Sequence, residues 1–290
     1  MLFHLKSLPL LFPILFLAVI SCTKPLEPET VLPPPEMPDS EIFNLDFTGI
    51  TSNPSGAKQP GYLDWIPAEM IDFDLQKALD DPFSLALAFI ADYRRGMVNQ
   101  LRSIFFSTFQ NVNELTPELV DEQYIWNFRS NIYDPDMGMP MIWSDLKLVA
   151  MRVAEGNVDW RLYRVTEGEE VFVAVGHTSR SNRLGNWIFF FHDGMQMPAF
   201  SFSWERKNGQ TAKLYSDLHF VNVSTSYLHN GDWIIHTQER SETVENTLFA
   251  DVRWSRRTGE GTLFISSYSL PEGITLCWDS YRVPLNECSH

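Results

Sequence analysis

Catalytic signatures are what this sequence lacks. It contains no HExxH pair, no GxSxG nucleophile elbow and no glycine-rich phosphate loop, which removes the usual sequence support for zinc peptidases, α/β-hydrolases and nucleotide-dependent enzymes. Positive charge is scarce. Against 37 Asp and Glu stand 22 Lys and Arg, a net charge of −15. So acidic a chain repels phosphate backbones and anionic headgroups, which argues against nucleic acid as a partner. Cysteine is rarer still, at three residues, and offers no pair of pairs for a zinc finger. Long apolar runs are absent too. The longest, Leu8 to Ile20, is about 13 residues, short of the roughly 20 that a membrane-spanning helix needs.

That short run is informative for what surrounds it. Lys6 precedes it, and Val19-Ile20-Ser21 leads directly into Cys22. A basic n-region, a brief apolar core and a small residue before cysteine resemble the lipobox of bacterial lipoprotein signals. The resemblance implies that residues 1–21 are removed, that Cys22 becomes the acylated N-terminus, and that the membrane is a partner through that anchor. Thr23 rather than aspartate follows Cys22. By the sorting rule of enteric bacteria this favours the outer membrane over the inner. An ordinary secretory leader, cleaved for instance at Ala18, is the alternative.

Residues 22–40 carry six prolines and four acids and read as an extended acidic tether, because such a segment buries too little surface to offset its ordering entropy. Residues 41–123 read as an irregular wrap followed by helix, and residues 124–290 as a β domain, with 41–290 as one folded unit. Loss of Lys6 with the leader takes the net charge to −16. Once Cys22 is assigned to the anchor, Cys277 and Cys288 remain as a pair eleven positions apart, suited to a disulfide in an oxidising compartment.

Asp81 followed by Pro82 is a helix start, cap then first turn. Phe83, Leu87, Ile90, Met97, Leu101, Ile104 and Phe105 recur at three- and four-residue steps, which predicts one long helix, with Gly96 as its weak point. A second, short helix is expected from Thr116-Pro117 to before Tyr124. From Tyr124 the apolar period drops to two, and pairs such as Glu167-Gly168, Asn208-Gly209 and Asn230-Gly231 punctuate it as hairpin turns. Nine to eleven antiparallel strands in a meander follow. The fold class is mainly β with an α+β minority: a strongly curved barrel or half-barrel with the long N-terminal helix packed on its apolar face. A β-sandwich plus helix is the alternative. Gly185-Asn186-Trp187-Ile188 and Trp204 to Gly209 are echoed at Gly231-Asp232-Trp233-Ile234 and Trp254 to Gly259, which reads as pseudo-symmetry within one sheet.

No set of His, Ser and acid residues marks a catalytic centre, and no cofactor or metal site is expected. Asp134-Pro135-Asp136-Met137-Gly138 opens like a calcium loop but lacks the later ligands. Met137, Met139 and Met141, with Met195 and Met197, repeat an M-x-M-P pattern in loops and are candidates for a flexible apolar rim. The sequence therefore points to a non-enzymatic, membrane-anchored envelope lipoprotein that binds an apolar or amphipathic ligand, or a protein partner, on its sheet. A carbohydrate-binding or glycoside-active protein and a purely structural surface lipoprotein are the alternatives.

Overall fold

The structure is a computed structural model and describes residues 32–50 and 80–288, apart from 94–97, 99, 100, 102–104, 106, 110, 134–140, 191–196, 220–222 and 242–246. The chain divides into two units, Met1–Pro34 and Pro35–His290. Of the first, only Leu32, Pro33 and Pro34 are described, and all three are exposed.

In the second unit the period-two segments form one antiparallel sheet of fourteen strands in strict sequence order. They are β1 (Glu118–Val120), β2 (Gln123–Tyr133), β3 (Met141–Arg152), β4 (Val158–Thr166), β5 (Glu169–Thr178), β6 (Leu184–Phe190) and β7 (Pro198–Lys207). Then come β8 (Gln210–Leu218), β9 (Val223–Asn230), β10 (Trp233–Ser241), β11 (Thr247–Ser255), β12 (Gly261–Ser267), β13 (Leu270–Trp278) and β14 (Pro284–Leu285). Each strand pairs with its sequence neighbour and β1 does not pair with β14, so the sheet is open. This corrects the expected barrel or half-barrel and also the sandwich: there is one sheet, neither closed nor strongly curled. The terminal strands, three and two residues long, offer too little edge for closure. The edges are blunted instead. Ser130 Oγ donates to Ser107 O and Thr108 Oγ1 to Asn131 O along β2, while Pro271, Glu272 and a bulge at Gly273 interrupt β13.

Two helix expectations are also corrected. The described N-terminal helix, α1, is the 12-residue Pro82–Tyr93 and not a long one. Its start is as expected, since Ser84 N donates to Asp81 Oδ1 at 2.9 Å. Residues 94–97 lie outside the described residues, and residues 101, 105 and 107–109 are again helical. The segment expected as a short helix before Tyr124 is instead β1, turned into β2 by Asp121 and Glu122 at φ of 48° and 65°. Pairing with the long β2 outweighs a weak Thr-Pro helix start.

One face of the sheet carries the core. Trp126, Trp160, Trp187, Phe202, Trp204, Tyr227, Trp254 and Trp278 point inward and are buried. Four of the inward indoles are anchored by their N–H groups: Trp160 donates to Thr178 Oγ1, Trp204 to Asn182 O, Trp254 to Thr48 O and Trp278 to Gly259 O. The expected repeat holds for Trp204 and Trp254, both inward on β7 and β11. It fails for the other half, because Trp187 is buried and Trp233 is 43% exposed.

The chain covers this face with its own N-terminal part. Residues 35–50 cross the strands as a strap. Glu36 O accepts from Asn182 Nδ2 beyond β5, Glu41 pairs with Arg206 on β7, and Ile42 O accepts from Thr211 on β8. Asp46 meets Tyr227 on β9 and Arg256 after β11, and Ile50 O accepts from Arg282 before β14. About 14 residues reach at most about 50 Å. The eight strand spacings from β5 to β13 need roughly 38 Å. The strap is thus largely extended, at about three quarters of its reach, with one 3₁₀ turn at Ser40–Phe43 and a turn at residues 48–50. At Gly49, φ is 89° and an added Cβ would strike the carbonyls of Ser255 and Arg256, so only glycine fits. The chain returns through α1, whose Phe83 meets Trp278 edge-on at 5.6 Å, and through Phe105 and Phe109 against Trp187. It closes beside the strap's start, where Asn113 Oδ1 accepts from Met37 N and Asn113 Nδ2 donates to Met37 O.

Tyr227 is the central pin. Its hydroxyl accepts from Asp46 N at 3.0 Å and donates to Asp46 O at 2.9 Å. Burial pushes this phenol far above its ordinary value, so it stays protonated. Although burial opposes its charge, Asp46 is held below the usual carboxylate range by Thr48 and Arg256. Tyr227→Phe leaves both backbone groups of Asp46 without this partner and is expected to cost about 1–3 kcal/mol in urea denaturation. Faster exchange of the Asp46 and Thr48 amides would accompany it. An unchanged midpoint would show that the strap does not depend on this contact.

Candidate functional site

Because the inner face is covered, the outer face is where chemistry is accessible. A patch of it lies on β4, β5 and β6, and strand register builds it as three rows of three. Asp159, His177 and Asn186 are cross-strand neighbours. Two residues along stand Arg161, Val175 and Ile188. Beyond them lie Tyr163, Phe172 and Phe190. The patch therefore grades from polar through mixed to aromatic along the strands, with rows about 6.6 Å apart.

A bulge makes the aromatic row. Strict alternation from Thr178, Gly176 and Ala174 would turn Phe172 inward. Between β4 and β5 the register shifts at Leu162/Tyr163, so Val173 and Ala174 are both buried and Phe172 faces outward. Its ring then lies 5.6 Å from Tyr163 and 5.2 Å from Phe190, and all three remain half-buried.

At the polar end His177 Nδ1 sits 2.6 Å from Asp159 Oδ1. That contact orients the imidazole and leaves Nε2 available beside Asn186. These residues, with Arg161, Val175, Ile188 and the strand backbone at Trp160 and Gly176, line an open cleft of about 250 Å³. Arg161 is exposed and has no carboxylate partner among the described residues. Another cleft, of about 340 Å³, lies where the strap passes Gly209 and Thr211, and Glu41 and Asp46 in it are engaged with arginines.

A Ser–His–acid order also occurs on the outer face. Ser201 Oγ is 3.5 Å from His219 Nε2, and His219 Nδ1 is 3.5 Å from Asp217 Oδ2. Both gaps exceed the 2.6–3.2 Å of a working relay, and Ser224 Oγ also turns toward Asp217. Side chains on adjacent positions of a polar strand face account for it.

The residues singled out from sequence fall elsewhere. Cys277 and Cys288 are joined by a disulfide, which holds the last residues beside β13. Cys22, Met137, Met139 and Met195 lie outside the described residues. Met141 begins β3, and Met197, 50% exposed, precedes β7. Four strand spacings, about 19 Å, separate β3 from β7, so these two do not share a site. No group of three or more His, Cys, Asp or Glu that could hold a metal ion occurs among the described residues. His177 stands out in the sequence only as one histidine among several, and Arg161 not at all. Their significance comes from register, which no local pattern encodes.

No protein-family model, curated protein or solved structure matches the chain.

Proposed function

We propose that this protein is a non-enzymatic, lipid-anchored envelope lipoprotein, more suited to the outer than the inner membrane, and that it binds an amphipathic ligand on the outer face of its sheet. The observation that carries the binding surface is the graded patch on β4–β6. Five apolar side chains, Tyr163, Phe172, Val175, Ile188 and Phe190, stay partly exposed there beside a polar cleft. The inner face, which would hold a ligand in a carrier, is filled by the strap, α1 and Phe105 and Phe109. Exposed contiguous apolar surface with a polar rim is a common mark of binding. The carbohydrate reading rests on Trp143 and Trp233, but they lie on β3 and β10, seven strands apart, and do not form one platform.

Two measurements test the proposal. Expressed in a Gram-negative host, the full chain should fractionate with membranes and carry acyl mass on Cys22, whereas Cys22→Ser should be soluble and unmodified. Native mass spectrometry of the extracted protein should show a bound amphiphile that Phe190→Ser loses. An unmodified Cys22 would overturn the anchor, and an empty protein the ligand.

A further inference from the structure

We infer that the ligand is an amphipathic carboxylate, its head held by Arg161 in the cleft and its apolar body laid along Val175, Ile188 and the Phe172–Phe190 rings. The inference rests on the binding reading above and names the chemistry of the head.

Charge is the first argument. The chain carries 37 acids to 22 bases, and seven of the described Lys and Arg side chains pair with an acid. Lys147 pairs with Glu170, Arg253 with Asp251, and Arg206 and Arg256 with acids of the strap. Among the described residues no acid pairs with Arg161; Arg180, Arg183 and Arg257 share that lack, but only Arg161 lines the cleft. Asp159 does stand two residues away on the same face. That carboxylate turns its Oδ1 to His177 at 2.6 Å. The guanidinium therefore keeps its planar set of donors free, the arrangement that receives a carboxylate through two parallel hydrogen bonds. Asn186, and His177 through its second nitrogen, line the same cleft and add polar partners.

Distance is the second. Val175 and Ile188 share the row of Arg161, and the aromatic row lies about 6.6 Å further along the strands. A carboxylate on Arg161 thus places the first few carbons of an attached chain against the two aliphatic residues and the rest over the rings. A cationic head would face Arg161 directly. A neutral head would leave the guanidinium solvated and gain only the apolar contact.

Calorimetry on the whole mature chain, carrying Cys22→Ser so that no detergent is needed, decides the matter. Decanoate, decanol and decyltrimethylammonium, each below its micellar concentration, share one apolar body and differ in the head. Decanoate should bind saturably and at least about tenfold more tightly than the other two. Arg161→Gln should bring decanoate down to the level of decanol while leaving decanol unchanged, and Arg161→Lys should restore part of the difference. Thermal melts that match the parent would confirm that these exposed substitutions leave the fold intact. Equal binding of decanoate and decanol, or no effect of Arg161→Gln, would overturn the carboxylate assignment while leaving an amphiphile site in place. Absence of binding by all three, or binding indifferent to Phe190→Ser, would overturn the site itself.

Discussion

Gly185→Ala should destabilise the protein by roughly 3–4 kcal/mol, for want of room and not of backbone freedom. Gly185 stands opposite Trp204 in the β6–β7 register, and the indole lies across it. A Cβ there would lie 2.2–2.8 Å from three atoms of the indole's six-membered ring, far inside contact distance. The ring has nowhere to go. Trp204 is buried, stacks on Phe202 at 5.8 Å, and donates its N–H to Asn182 O at 3.1 Å, a bond that any displacement breaks. Against a typical stability of 5–15 kcal/mol the loss is large. Gly209→Ala is the control. Gly209 has a φ of 80° with nothing near its absent Cβ, so it carries only the left-handed penalty of about 1–2 kcal/mol. Denaturant melts of the two variants should differ clearly. A Gly185→Ala cost below that of Gly209→Ala would mean that the tryptophan packing adapts freely.

Mild acid should weaken the fold through His236. This side chain points inward between Tyr227 on β9 and Val252 on β11, with Nδ1 at 3.1 Å from Ser226 O. Complete burial pushes its pKa down from 6.5 to about 4, against the smaller opposing effects of Ser226 and Asp251. Tyr227, which stands opposite it on β9, stays neutral throughout. Between about pH 6.5 and pH 4 the unfolded chain therefore binds a proton at this position that the folded chain refuses. Stability due to this group is full above pH 6.5 and falls as the pH drops, by roughly 3 kcal/mol once pH 4 is reached. His236→Gln should remove most of that slope. The check is the difference in urea midpoint between parent and variant at pH 7.5, 5.5 and 4.5. A constant difference across that range would show that His236 is not buried in neutral form.

The meander was legible in the sequence because its signals are local. Asn208-Gly209 announces a tight turn by residues that tolerate positive φ, and Phe200, Phe202 and Trp204 against Ser201, Ser203 and Glu205 announce which face is buried. Asp121-Glu122 makes the same kind of turn with Glu122, which lacks that preference, where a glycine would mark it, so β1 read as helix. The openness of the sheet was not legible either. A strand carries the same alternation whether its sheet closes on itself or is covered by another segment, and the sequence marks residues 41–50 only as an irregular wrap, with nothing to say that Ile42, Phe43, Phe47 and Ile50 cover one face of an open sheet. The patch on β4–β6 depends on register and on a bulge that turns Phe172 outward, and both are settled only when neighbouring strands meet.

The strap imposes an order of events on the folding chain. Every hairpin of the sheet joins residues close in sequence, the sort of contact that forms quickly. The strap's partners lie 146 residues away at Asn182 and 232 away at Arg282. The strap, which precedes every strand it contacts, must therefore wait for the last of them, and until β13 is in place a row of tryptophans has no complete cover. Until then the folding protein is a growing sheet with one sticky side, and the strap is the last piece to settle.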